Sequence, residues 1–336
     1  MKPSGPVSRR LKRLLRILLA VAGAAIFIRI FSTVGWPAVA KNLGLIGGWF
    51  PALAALYLLP QLAFALGWWE TIDPRPPAAF FPRLFAVYCA GDTVNYLGPA
   101  NVAGEPLKAH LLRGEIDLSR SVASLTVHKH ADMLAQFLFA LGGFLVALAA
   151  FDLPRAALVA GALGVGGLGA LLLLLSWALR RGTFSPLLRK LSGLTILEGR
   201  LGRYQGDAEK LDARIRGFYT QHRGRYFKAV AWSLLGWCGG LAETWIVLAL
   251  LGSRADFQTA FAIEALAMVL NNMLSWMPGR IGTAEGVRVG IFVLLGLPAA
   301  AGAAYALVRR GREILWTLPG ACILLFRNLP TRAEAL

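Results

Sequence analysis

The sequence predicts an all-α polytopic membrane protein, and three observations carry that reading. Hydrophobic residues make up 57% of the 336-residue chain and charged residues only 16%, against about 45–50% and about 25% in soluble domains. Mean hydropathy is +0.58, and apolar runs long enough to cross or enter a bilayer recur along the chain. Lys and Arg outnumber Asp and Glu by 35 to 18, a net charge of +17, and the excess gathers where a cytoplasmic loop is expected. A soluble multi-domain enzyme of this length needs more surface charge, and a disordered chain is far less apolar.

The elements follow in order. Arg9, Arg10, Lys12, Arg13 and Arg16 precede an apolar stretch over 17–31. Its length, and Arg29 near its far end, mark an uncleaved first helix at 14–35 rather than a signal peptide, with the basic flank in the cytoplasm. Further runs cover 47–69, 80–98, 120–150, 156–179, 228–251, 257–277 and 299–327, with a shorter piece at 287–297. Trp36, Trp49, Trp68, Trp69, Trp177 and Trp232 fall near run ends and are expected as interfacial anchors. Cys89, Cys238 and Cys322 stand alone in apolar runs, so they read as small hydrophobes in the interior, not as a disulfide framework or zinc ligands.

The stretch 180–228 holds twelve Lys and Arg against four Asp and Glu, a net +8. The positive-inside rule places it in the cytoplasm, where it also attracts anionic inner-leaflet lipid. It has no nucleic-acid-binding motif or interleaved aromatics, so no nucleic acid is expected as a partner. With the N-terminus inside, 14–35 runs out and 47–69 returns. A full span at 80–98 would then leave the basic stretch outside. The conflict disappears if 80–115 is a re-entrant hairpin from the cytoplasmic side. Then 120–150 runs out, 156–179 returns, 228–251 runs out, 257–297 forms a second hairpin from the outer side, and 299–327 returns. The expectation is about six spanning helices plus two re-entrant broken-helix hairpins in a single membrane domain over 1–336.

An internal repeat sharpens this. Val127-His128-Lys129 with Asp132-Met133-Leu134, and Val308-Arg309-Arg310 with Glu313-Ile314-Leu315, share one pattern at an offset of 181 residues. In both, the first base and the acid are four apart and share a helix face. Upstream of each lies a Gly/Pro-broken polar stretch: Asn95, Pro99, Gly104 and Glu105 in the first, and Asn272, Pro278, Gly279, Arg280, Gly282 and Glu285 in the second. Repeat one covers about 47–179, the basic cytoplasmic loop 180–228, and repeat two about 228–327. The topology gives the copies opposite orientations, an inverted repeat of the kind whose broken helices form a transporter site near the midplane.

Charged side chains inside spans are costly and face a cavity or a partner. Across the two charged helices, His128, Lys129, His130, Arg309, Arg310 and Arg312 face only Asp132 and Glu313. A positive excess remains that an anionic ligand would offset, and Arg suits phosphate bidentately. For the acids, mutual neutralisation of His128 with Asp132 and Arg309 with Glu313 is an equally open reading. Free N–H groups at the breaks attract anions, and Gly104, Gly279, Gly282 and Gly286 allow close backbone approach, although tight helix packing explains glycines equally well. Glu105 and Glu285 would pair with the basic helices, carry a coupling proton or cap the second arm of each hairpin. Asp92, Glu243 and Glu264 read as ion-pair partners rather than proton carriers, and Gln61 as a packed interhelical hydrogen bond. No catalytic motif, cofactor fingerprint or metal-ligand spacing is present; His128 and His130 are two apart and point to different faces.

These paired motifs resemble the lysylphosphatidylglycerol-synthase-type transmembrane (flippase-like domain) family over roughly residues 10–330. The resemblance implies a membrane domain that moves lipid between leaflets. In the synthases a separate soluble domain charges phosphatidylglycerol with lysine; this chain has no room for it, so aminoacyl transfer is not carried over. Length and the missing domain are also similar to a subgroup found with bacterial hopanoid biosynthesis. Where the family pattern leads one to expect Arg in the first charged helix, this chain has His128-Lys129-His130, so binding there is expected to be pH-sensitive.

The expected function is a non-enzymatic lipid translocase moving a lipid or polyprenyl-type amphiphile, hopanoid-related in the subgroup reading, across the bacterial inner membrane, with both termini cytoplasmic. The partner is a lipid with a polar or anionic head group. The alternatives are an accessory subunit of a lipid-synthesis pathway and a membrane head-group transferase. Nothing in the sequence sets an oligomeric state.

Overall fold

The computed structural model describes residues 25–326 apart from 26, 30, 99–101, 183, 193–204 and 275–281. Within those residues the regular elements are helices: α1 Trp36–Gly47, α2 Phe50–Leu56, α3 Leu58–Thr71, α4 Phe81–Leu97, α5 Glu105–Leu111, α6 Leu118–Ala150, α7 Arg155–Arg181, α8 Phe184–Ser192, α9 Gln205–Gln221, α10 Arg223–Leu250, α11 Phe257–Met273, α12 Thr283–Leu294 and α13 Ala299–Leu325. Pro37, Pro51, Pro82 and Pro106 stand in the first turns of α1, α2, α4 and α5, where a missing N–H costs no intrahelical bond. Asp117 and Asp256 cap α6 and α11 through the backbone N–H groups of Arg120 and Thr259.

Four helical stretches are long and apolar enough to cross a membrane: Phe50–Thr71, Leu118–Ala150, Arg155–Arg181 and Arg223–Leu250. These correspond to four of the six expected spans. Most of 14–35 lies outside the described residues, and α13 has the length but carries Arg309, Arg310, Arg312 and Glu313. The outer face of α7 exposes Val159, Leu163, Leu171, Leu173 and Leu174, as a lipid-facing helix does. The basic stretch read as a loop contains two helices, α8 and α9. Trp36, Trp49 and Trp177 are exposed as anchors should be, but Trp68 and Trp69 are buried. Trp68 donates to Ser124 Oγ at 3.1 Å across α3 and α6, so helix packing, not the interface, holds it. Cys89 is buried as expected, whereas Cys322 is exposed on α13.

Contacts fix the direction of each helix. At one end, Arg225 at the start of α10 holds Asp73 and the Glu70 carbonyl at 3.0 and 2.9 Å. Arg214 of α9 reaches Asp117 at 3.4 Å, and Arg120 donates to the Pro74 carbonyl. This is the basic end. Arg254 over the Phe151 ring, 5.2 Å from its centroid, marks the opposite end.

Helices α4 and α5 fold back on one another. Arg83 Nε donates to Glu115 at 3.1 Å at their feet, and Asn95 meets Gly104 and Glu105 at their tip. Both feet lie at the basic end. Helix α13 runs antiparallel to α12, with Gly302 on Phe292 and Glu313 on Arg288. It is also antiparallel to α4, with Gly320 on Cys89 and Thr317 on Thr93. It therefore heads toward the basic end, while α6 leaves it. Helices α11 and α12 accordingly have their feet at the opposite end.

Candidate functional site

The tips of the two helical hairpins converge on the middle of α13. Gly282 has φ 78, a left-handed conformation that suits glycine, and its N–H donates to Glu285 Oε2 at 2.8 Å. The other Glu285 oxygen accepts from Arg310 Nε at 2.5 Å. Arg310 Nη1 in turn donates to the Tyr96 hydroxyl at 2.5 Å, and its guanidinium lies 3.5 Å from Glu313. One guanidinium thus joins α4 to α12.

Around it lies a layer of ion pairs. Arg309 donates to Glu243 and to Glu264, both at 3.0 Å. Arg312 donates to Glu243 at 2.7 Å and sits 3.6 Å over the Tyr57 ring. Arg288 donates to Glu313 at 2.8 Å. Thr244 and Tyr305 complete Glu264. Glu243 and Glu264 are partners, as the sequence suggested, and Glu285 does pair with a basic helix. The positive excess does not survive: Arg288, Arg309, Arg310 and Arg312 face Glu243, Glu264, Glu285 and Glu313 among the described residues. Counting along two helices missed it because the neutralising acids come from α10, α11 and α12. Arg309 also bypasses Glu313, four residues on, for acids on other helices. What the layer leaves over is hydrogen-bonding capacity: Arg288 Nη1, Arg309 Nε and Arg312 Nε are buried without an acceptor.

The first hairpin tip is satisfied mostly from within. Asn95 Oδ1 accepts from the Gly104 N–H at 2.7 Å and its Nδ2 donates to Glu105 at 3.0 Å. Lys108 also donates to Glu105 at 3.0 Å and stacks over Tyr88, 4.7 Å from the centroid. A Cβ on Gly104 would overlap the Gly91 carbonyl oxygen, so this crossing requires glycine.

A second string runs through α6. Lys129 lies 3.7 Å from Asp132. Asp132 accepts from Gln136 at 2.9 Å and from Trp237 at 3.1 Å, and Gln136 accepts from Asn272 at 2.9 Å. His128 takes no part; its Nδ1 is buried without a partner beside Gly67. His130 faces elsewhere, toward Ser176, Tyr219 and Tyr226. Pro99, Pro278, Gly279 and Arg280 lie outside the described residues. The sequence missed Arg288, Lys108, Tyr57 and Tyr96; a base three residues after an acid, Glu105 then Lys108 and Glu285 then Arg288, was the signal for the first two.

Beside the Arg310 junction lies a cavity of about 30 Å³, room for a water molecule or so. Asp92, Thr93 and Tyr96 of α4, Tyr57 and Gln61, and Glu313, Trp316 and Thr317 of α13 line it. It is about tenfold smaller than ordinary ligand pockets.

Residues 13–320 match the family described as the lysylphosphatidylglycerol synthase TM region. The chain belongs to this family. A curated relative, a UPF0104 membrane protein of Methanothermobacter thermautotrophicus, is 26% identical over 239 residues, which cover 67% of this chain and 68% of the relative. No solved structure matches the chain. The match places the α4–α5 hairpin, the α11–α12 hairpin and the arginine layer of α13 inside the lysylphosphatidylglycerol synthase TM region. It carries no hopanoid-specific subgroup.

Proposed function

We propose that the chain is a lipid translocase in which a polar head group passes between the two hairpin tips while the acyl or polyprenyl tail stays in the bilayer. One observation carries this reading: Arg310 is held by Glu285 on one hairpin and Tyr96 on the other, so a single side chain closes the passage. The small cavity makes this a closed state. The guanidinium donors left over on Arg288, Arg309 and Arg312 would serve an oxygen-rich head group such as a phosphate once the passage opens. Opposed hairpin feet, with α6 and α13 running in opposite directions, suit an inverted repeat that rocks about this site. The basic end is cytoplasmic in this arrangement and attracts anionic inner-leaflet lipid, and both hairpins are re-entrant.

The test uses vesicles of phosphatidylethanolamine and phosphatidylglycerol containing a fluorescent short-chain phosphatidylglycerol, with dithionite bleaching to read leaflet transfer. Arg309→Ala and Glu105→Ala are expected to abolish transfer in protein that still folds. Tyr96→Phe removes a hydrogen bond to a charged group, of the kind worth about 1.5–3 kcal/mol, and is expected to speed transfer by about tenfold. Unchanged transfer in all three rejects this passage. The competing reading, a static accessory subunit, draws on the charge balance of the arginine layer and predicts that all three substitutions are tolerated.

A further inference from the structure

Glu105, Asp132, Glu243, Glu264, Glu285 and Glu313 each have a cationic partner. Asp92 differs. It sits half-buried midway along α4 and lines the cavity. Its hydrogen-bond partner is an amide, Gln61 Nε2, at 3.2 Å. Among the described residues no Lys, Arg or His comes within ion-pair distance of it.

A carboxylate at this depth without a counter-ion is costly, and the cost is removed by a cation or by a proton. The surroundings suit the proton. Gln61 is itself buried and offers both an N–H donor and a carbonyl acceptor. The donor serves the carboxylate, and the acceptor, after an amide flip, serves the carboxylic acid. The cavity has room for the water that would deliver the proton, and not for a larger organic ligand. We infer that Asp92 binds and releases a single proton at the cavity between α3, α4 and α13.

The groups facing Asp92 fit this role. From α4 come Tyr88, Cys89 and Tyr96, and from the break between α2 and α3 comes Tyr57. Behind Tyr57 stands Arg312, engaged by Glu243. From α13 comes Glu313, engaged by Arg288 and Arg310. Lys108 of α5 packs on Gly91, next to Asp92 in the chain, and is engaged by Glu105. Each fixed positive charge thus already has its own carboxylate. Tyr96 follows Asp92 by four residues, so both occupy one face of α4, and Tyr96 is the residue that Arg310 grips. Proton binding at Asp92 would therefore alter the charge beside the Arg310 closure. That coupling rests on the translocase reading; the proton site itself does not.

The test is labelling by dicyclohexylcarbodiimide of the full chain in lipid nanodiscs, read by mass spectrometry of peptides. The reagent takes up the proton of a protonated carboxyl as the carboxyl oxygen adds to its central carbon. The resulting O-acylisourea rearranges to a stable N-acylurea carrying the whole carbodiimide. Label is expected at Asp92 under acidic conditions, falling as the pH is raised, and absent from that peptide in Asp92→Asn. Three results would overturn the assignment: no label on Asp92 at any pH, label that does not change with pH, or protection by sodium chloride but not potassium chloride at fixed pH. The last identifies a sodium site instead. A chain that labels as expected but moves no lipid in the vesicle assay keeps the proton site and loses the translocase reading.

Discussion

In the first hairpin, α5 lies so close to α4 that Gly104 touches the Gly91 carbonyl, and Asn95, Glu105 and Lys108 satisfy one another. In the second, Glu285 spends one oxygen on its own helix start at Gly282 and the other on Arg310 of α13. The same run of Asn, Gly and Glu therefore yields one tip closed largely on itself and one tip docked on a neighbour. An internal closure breaks only with the hairpin. A docked one can be exchanged, since the guanidinium that leaves Glu285 still has Glu313 and Tyr96 within reach. In the proposed translocase, this difference would give α4–α5 the rigid role and α12–α13 the moving contact.

That contrast can be broken at the docked side first. Arg312→Ala leaves Glu243 with Arg309 as its remaining cation in a buried layer. Removing one partner of a buried pair costs about 3–5 kcal/mol, so thermal unfolding in detergent should show the largest loss here. A melting point equal to that of the unsubstituted chain would mean that the layer is solvated. On the self-contained side, Gly104→Ala forces a methyl onto backbone, which cannot rotate away. Overpacking of this kind costs about 1–3 kcal/mol, and the melting point in detergent should fall by less than in Arg312→Ala. A silent substitution would show that the hairpin is looser than its contacts indicate.

The smallest effect lies where the first hairpin hands over to α6. The Ser119 hydroxyl, with the Arg120 backbone N–H, holds the Asp117 carboxyl below its ordinary range. A carboxyl lowered in the folded state stabilises above its unfolded value, and the contribution is lost as pH falls through the lowered one. Asp117→Ala should cost about 1 kcal/mol at neutral pH, and the difference from the parent should vanish in acid. A difference that persists in acid would point to packing rather than the cap.

Much of this was legible in the residues. Apolar runs located α6, α7 and α10, and the acids beside the Gly/Pro breaks, Glu105 and Glu285, stand at the starts of α5 and α12. The repeat singled out Arg309, Arg310 and Glu313, which the structure brings into one layer of ion pairs. Partner choice was not legible. Spacing pairs Arg309 with Glu313 on one helix face, yet Arg309 goes to Glu243 and Glu264 on two other helices, because buried guanidinium groups seek acceptors in three dimensions. Asp92, Glu243 and Glu264 look alike in sequence, each a lone acid in an apolar run. Only the fold separates two paired glutamates from an aspartate facing an amide and a cavity.

The sequence by itself determined the class of protein, the basic end and the helices that carry charge, because long apolar runs and charge bias act locally and survive in one dimension. Only the tertiary structure decided that, among the described residues, the arginine layer is neutral, Arg310 joins both hairpins and Asp92 has no cation beside it. Those outcomes depend on which helices meet at one depth, where electrostatic pairing is settled by distance in space rather than along the chain.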